Sequence, residues 1–170
     1  MKDDNLFMVF TKFSDLHILI EGDKMNFRND VSGEIISFEQ ALELIKNSIQ
    51  DEKEDELFYD SFIKQAPTQM AQEIIRHIRD EERSHNQILR QLYFEFTGQL
   101  LPQEQITNDN QVSTNYQTNL EKAFFGEIGA VQKYRKIMSA MPTSVSYGLL
   151  MSIMTDELTH ADQFNFLLNR

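Results

Sequence analysis

The sequence of 170 residues contains no cysteine. This absence excludes disulfide bonds, thiolate-ligated zinc, iron–sulfur clusters and a thiolate nucleophile. Hydrophobic residues make up 41% of the chain and charged residues 25%, a balance typical of a globular domain rather than a disordered chain. Because this length fits one domain of ordinary size, we expect a core of substantial volume.

The sequence also lacks a basic excess and any long apolar run. Lys and Arg number 16 against 27 acidic residues, so the formal net charge is −11. This balance disfavours binding to nucleic acids and to anionic membranes, which both attract basic surfaces. No stretch approaches the roughly 18 apolar residues of a membrane span, and the first residues lack the layout of a signal peptide. We therefore expect a cytoplasmic protein that binds neither nucleic acid nor membrane.

Few residues that break helices interrupt the chain, which has only three prolines and six glycines. The long segments between them carry apolar residues every three or four positions. This periodicity is typical of amphipathic helices and not of strands. It predicts helices over about 38–65, 68–96, 112–140 and 143–169.

The connections between these helices predict how the helices are arranged. Short turns at Pro67 and Pro142 join them into two antiparallel pairs, with Thr68 and Thr143 as N-cap residues. The polar stretch between the pairs is long enough to run the length of a bundle. We predict an all-α, antiparallel four-helix bundle with one long crossover between helices two and three. Its parts are the first pair at 38–97, the crossover at 98–111 and the second pair at 112–170.

Residues 1–37 precede this bundle as an N-terminal extension. Apolar residues recur there at helical spacing, at Leu6, Phe10, Phe13, Leu16 and Ile20. The pattern predicts an amphipathic element that packs on the bundle or on a second subunit, and we expect a homodimer.

Acids and imidazoles interrupt the apolar stripes where core residues are expected. The second helix has Glu82 and His85, the fourth has Glu157 and His160, and the third has Glu127. Each Glu-x-x-His pair has the i, i+3 spacing that places both side chains on one helix face. In the first helix several acids crowd the corresponding region, and periodicity alone does not choose among them.

An internal comparison chooses the acid of the first helix. A shift of 75 residues superimposes the two Glu-x-x-His motifs. The same shift places Glu52 on Glu127 and Tyr59 on Tyr134. Glu52 is therefore the matching acid.

Four carboxylates and two imidazoles at matching depths on apolar stripes require an explanation. Solvated faces of amphipathic helices would explain any single pair. Burying all of these groups without partners would cost several kcal/mol per charge, and a dinuclear metal centre removes that cost. The predicted ligands are Glu52, Glu82, His85, Glu127, Glu157 and His160.

This motif set resembles the ferritin-like superfamily, and its rubrerythrin-type branch in particular, over about residues 38–169. The resemblance implies two metal ions, most often iron, and a reaction with O2 or H2O2. It leaves open whether Glu82 and Glu127, or Glu52 and Glu157, bridge or cap the ions.

Two features depart from the rubrerythrin pattern. Ala130 stands where rubrerythrins typically carry a further glutamate, three residues after Glu127. Rubrerythrins also usually carry a cysteine-ligated rubredoxin domain, and this sequence has no cysteine. Both departures bear on a peroxidase role, and any electron donor would be external.

Further residues are candidates for supporting the ligands. Glu81 and Asp156 either accept a hydrogen bond from a non-ligating imidazole nitrogen or lie exposed. Tyr59 and Tyr134 either bond a ligand carboxylate, relay single electrons or simply fill the core. Asp55 is a possible extra ligand or an exposed member of the acidic run.

Two glycines and two histidines complete the candidates. Gly126 and Gly129 flank Glu127 inside a helix, where each costs roughly 1 kcal/mol relative to alanine. They provide either close helix approach or room for oxygen to reach the metals. His17 and His77 have no partner at ligand spacing and are expected on the surface.

The favoured function is a di-iron oxidoreductase that reduces O2 or H2O2. Carboxylate and imidazole ligands suit iron, manganese and zinc alike, so a manganese catalase-like site is an alternative. Two others are a non-enzymatic protein that binds or stores iron, and a bundle with structural metal whose acidic face binds a protein partner.

Overall fold

The computed structural model describes residues 35–102 and 112–170. Helices fill most of these segments and no strand occurs in them, which confirms the predicted all-α bundle. A short 3₁₀ turn, Ile63–Gln65, continues the first helix. The predicted N-terminal element and most of the crossover lie outside the described residues. The four helices are α1 (Phe38–Phe62), α2 (Gln69–Thr97), α3 (Tyr116–Met138) and α4 (Ser144–Leu168).

Side-chain caps determine where the helices begin. The Thr68 hydroxyl accepts a hydrogen bond from the backbone N–H of Ala71, at 3.1 Å. Thr143 accepts the equivalent bond from Ser146, also at 3.1 Å. Both predicted N-caps are thus confirmed. The third helix begins four residues later than predicted because the Asn115 side chain caps it.

The four helices bury two apolar clusters at opposite ends of the bundle. One cluster joins the end of α1 and the end of α4 to the starts of α2 and α3. The other joins the starts of α1 and α4 to the ends of α2 and α3. Each of α1 and α4 therefore runs antiparallel to both α2 and α3. The end of α2 and the start of α3 therefore lie at opposite ends of the bundle, which agrees with the predicted long crossover.

The helices pack mainly within the pairs α1–α2 and α3–α4, and the pairs meet through α1–α3 and α2–α4 contacts. Arg90 on α2 donates a hydrogen bond to the carbonyl of Leu101 at 3.0 Å, so the chain after α2 already runs back beside that helix. Within residues 35–102 and 112–170, no helix is long and apolar enough to cross a membrane.

Replacing Thr143 by alanine is expected to destabilise the bundle by about 1 kcal/mol, because the first turn of α4 loses its cap. Urea unfolding measures this change. Thr155→Ala is the matched control, since Thr155 lies exposed in the middle of the same helix and bonds only helix carbonyls. An equal loss in both variants would contradict the capping role.

Candidate metal centre

A layer of buried polar side chains lies between the two apolar clusters. Glu82 and His85 stand between Ile78, in one cluster, and Leu89, in the other. All six predicted ligands are buried, with at most 4% of each residue exposed: Glu52, Glu82, His85, Glu127, Glu157 and His160.

The first of two side-chain groups surrounds His85. Its Nδ1 lies 3.2 Å from Glu82 Oε2 and 3.2 Å from Glu157 Oε1. Glu52 Oε2 lies 3.6 Å from the same nitrogen. Three helices thus direct one imidazole nitrogen and three carboxylates to one point.

The second group repeats this arrangement around His160. Its Nδ1 lies 3.1 Å from Glu82 Oε1, 3.5 Å from Glu157 Oε2 and 3.6 Å from Glu127 Oε2. Glu82 and Glu157 therefore present one oxygen to each group, whereas Glu52 and Glu127 each belong to one. This placement suits Glu82 and Glu157 as bridging groups, a combination that differs from both pairings left open by the sequence.

Both groups have the composition and spacing of a metal site. In each, the four ligand atoms lie within 4.8 Å of one another. Several of these buried atoms make no hydrogen bond, namely Glu82 Oε1, Glu157 Oε1 and His160 Nδ1. Unsatisfied buried carboxylates and imidazoles are costly in a protein interior, and divalent cations satisfy them. The residues present fit two metal ions.

Protons compensate the clustered charge when metal is absent. Burial, followed by repulsion from Glu82 and Glu157, raises the pKa of Glu52 well above its usual range. Burial likewise raises the pKa of Glu127. Burial opposes the charged form of Glu157 too, but the His160 and His85 imidazoles hold its pKa below the usual value. Metal binding must displace such protons, so metal affinity rises with pH.

Two tyrosines form hydrogen bonds with Glu52 and Glu127, the two carboxylates that each belong to only one group. The Tyr59 hydroxyl on α1 donates to Glu127 on α3. The Tyr134 hydroxyl on α3 donates to Glu52 on α1. Burial, followed by the neighbouring glutamate, raises the pKa of each tyrosine well above its ordinary value. Both hydroxyls therefore remain neutral donors at neutral pH.

Two further carboxylates face the outer nitrogens of the imidazoles. Glu81 Oε2 lies 2.9 Å from His160 Nε2, and Asp156 Oδ2 lies 3.3 Å from His85 Nε2. The sequence spacing places each acid one turn before the histidine of its own helix, but in the structure each pairs with the histidine of the other helix. With Nε2–H donating to the outer carboxylate, Nδ1 of each ring is directed to the ligand groups.

Replacing Glu81 by alanine is expected to lower metal affinity by about 10- to 100-fold, because His160 loses the group that orients its ring. Titration with Co2+ followed by absorbance measures the change. Glu73→Ala is the matched control, since Glu73 is an exposed acid on the same helix that bonds only Gln69. In double variants, Glu81→Ala should couple to His160→Ala and not to His85→Ala. Coupling to His85 would contradict the crossed pairing.

The other predicted residues lie outside the two groups. Asp55 is exposed on α1. Although this carboxylate reaches solvent, desolvation by the surrounding protein, followed by the charges of Glu82 and Glu157, raises the pKa of Asp55 to about 7. A Cβ added at Gly126 or Gly129 would meet no atom within 4 Å, so the prediction of close helix approach is wrong. The His77 side chain is 65% exposed, as expected for a surface residue, and His17 lies outside the described residues.

Sequence reasoning missed a second buried acid on α1. Glu56 lies one turn after Glu52 and is only 5% exposed. Arg83 Nη2 on α2 neutralises it at 2.8 Å, and Lys53 Nζ lies at 2.6 Å. The acidic run thus contains one buried carboxylate in the candidate centre and one in an ordinary ion pair. Within α1 only Lys53 hints at this pair, and the contact with Arg83 depends on how α1 packs against α2.

The fold and the buried groups together define a ferritin-like helical bundle with a site that can hold metal. A family model for rubrerythrin matches residues 43–168, and the chain belongs to the rubrerythrin family. Among solved structures, it is similar to a hypothetical protein from Pyrococcus furiosus. The two share 19% identity with a TM-score of 0.65, over 79% of this chain and 94% of that one. Comparison with curated proteins finds no match.

Proposed function

We propose that the buried groups bind two iron ions and that the protein is an oxidoreductase reacting with O2 or H2O2. The observation that carries this proposal is the shared position of Glu82 and Glu157, each of which offers one oxygen to each imidazole-containing group. Membership of the rubrerythrin family supports iron as the metal. Nδ1 of His85 and of His160 would bind one ion each, and Glu52 and Glu127 would each cap one.

Two bound iron(II) ions would supply the two electrons that, with two protons, reduce H2O2 to two molecules of water. The chain's own residues keep the ligands in place during this change of charge. Tyr59 and Tyr134 hold the terminal carboxylates, while Glu81 and Asp156 stabilise the imidazoles as neighbouring charge changes. An external donor would return the electrons.

The test is anaerobic loading with iron(II), metal analysis, and rapid mixing with O2 and separately with H2O2. We expect about two irons per chain and fast oxidation by at least one oxidant. A chain that binds no iron at these groups contradicts the proposal. Two irons without rapid oxidation would favour iron storage, while preferential binding of manganese with disproportionation of H2O2 would favour a catalase-like activity.

A further inference from the structure

A cleft of about 390 Å³ opens between α1 and α3 beside the candidate centre. Its inner end includes Glu52 and Glu157, which are only 3% and 1% exposed. Gly126, Gly129 and Ala130 form much of the α3 wall. The cleft therefore connects solvent to Glu52, which belongs to the His85 group alone, and to Glu157, which belongs to both groups.

The opposite side of the centre, between α2 and α4, is blocked by side chains. His85 and His160 are buried, with 2% and 0% of each residue exposed. Glu81 and Asp156 bond the outer nitrogens of these rings across the gap between the two helices. An ion approaching from this side would have to displace an imidazole and its hydrogen bond.

Neither a positive φ angle nor a close contact with another helix requires glycine at positions 126 and 129. In the described segments, only Gly98 has a positive φ among the glycines, so Gly126 and Gly129 have ordinary helical conformations. A Cβ at either would meet no atom within 4 Å. Each lowers helix stability by roughly 1 kcal/mol relative to alanine. What the missing side chains provide is open space in the cleft.

Carboxylates line the α1 wall of the same cleft. Two lysines on α3 also line the cleft, and both have partners on α1. Lys133 Nζ pairs with Asp51 at 2.6 Å, and Lys122 Nζ lies 4.4 Å from the centre of the Phe58 ring. Asp55 lines the same α1 wall and is exposed to solvent. Oxygen ligands at the entrance to a site favour hard cations.

We propose that this cleft is the path by which divalent metal ions reach and leave the centre. In this path Gly126 and Gly129 keep the passage open, and Asp55 is an exposed carboxylate that attracts the ion. The inference rests on the proposed function in one respect, namely that the centre binds metal.

The test compares rates of Co2+ uptake, followed by stopped-flow absorbance, with rates of release into excess chelator. A narrowed path changes rates and not the equilibrium. We expect Gly129→Leu and Gly126→Leu to slow uptake and release by the same factor, about tenfold or more, and to leave the dissociation constant unchanged. Measured well above pH 7, where the Asp55 carboxylate is ionised, Asp55→Asn should slow uptake at low ionic strength more than at high ionic strength.

Gly148→Leu is the matched control. Gly148 is also a helical glycine with open space around it, but it lies on α4 away from the cleft. It should leave both rates unchanged. If both cleft variants exchange Co2+ at the rates of Gly148→Leu, the cleft is not the path. A loss of affinity with unchanged uptake would also contradict it. A wild-type chain that binds no Co2+ would overturn the metal centre itself, and the path with it.

Discussion

The Glu82→Ala protein is expected to lose both metal ions, whereas the Glu52→Ala protein should keep about one per chain. The reason is geometric: Glu82 offers an oxygen to each of the two groups, and Glu52 contacts only the group around His85. The loss of affinity in Glu82→Ala should exceed the roughly 10- to 100-fold that removal of an outer hydrogen-bond partner typically causes. Metal analysis after equilibrium dialysis measures both stoichiometries.

Glu73→Ala is again the control, and it should bind as the wild type does. Equal losses in Glu52→Ala and Glu82→Ala would contradict the bridging position of Glu82. They would instead favour a centre in which all four carboxylates are equivalent.

The second large effect concerns the stability of the metal-free protein. Glu157→Gln is expected to lower the free energy of unfolding by about 3 kcal/mol, because it removes an ionised carboxylate from two buried imidazoles. Glu127→Gln should lower it by less than about 1 kcal/mol, since burial already keeps that carboxyl protonated and an amide oxygen can accept from Tyr59.

Urea unfolding in the presence of a chelator measures both variants at neutral pH. The comparison isolates the effect of charge, because both substitutions are nearly isosteric and both residues are buried. Equal losses would show that the four carboxylates share their protons evenly when no metal is bound.

The sequence predicted the four helices and the placement of each Glu-x-x-His motif on one helix face, because both follow from spacing within one helix. It did not predict which glutamates stand between the two groups. That depends on how far each helix is rotated about its own axis. A small rotation would turn a glutamate that contacts both groups into one that contacts only one of them. The partners of Glu81 and Asp156 were also beyond prediction, because the i, i+4 neighbour on the same helix and a residue on a facing helix compete for one carboxylate.

The acidic run on α1 shows another boundary of sequence reasoning. The internal repeat singled out Glu52, and the structure places it in the candidate centre. Glu56 is buried on the same helix for a different reason, which is its pairing with Arg83 on α2. Such a pair depends on helix packing, and no pattern within α1 contains it. Only the structure, similarly, decides between crowding and open space at Gly126 and Gly129.

The crossed hydrogen bonds have a consequence for how the molecule assembles. All four join the first helix pair to the second, between residues 68 to 82 positions apart in the sequence. Each pair also carries only half of the candidate ligands. We expect contacts so distant along the chain to form late in folding, after the local helix pairs. A metal bound there would link two helix pairs that have already formed. Its removal would therefore raise the unfolding rate more than it would lower the folding rate.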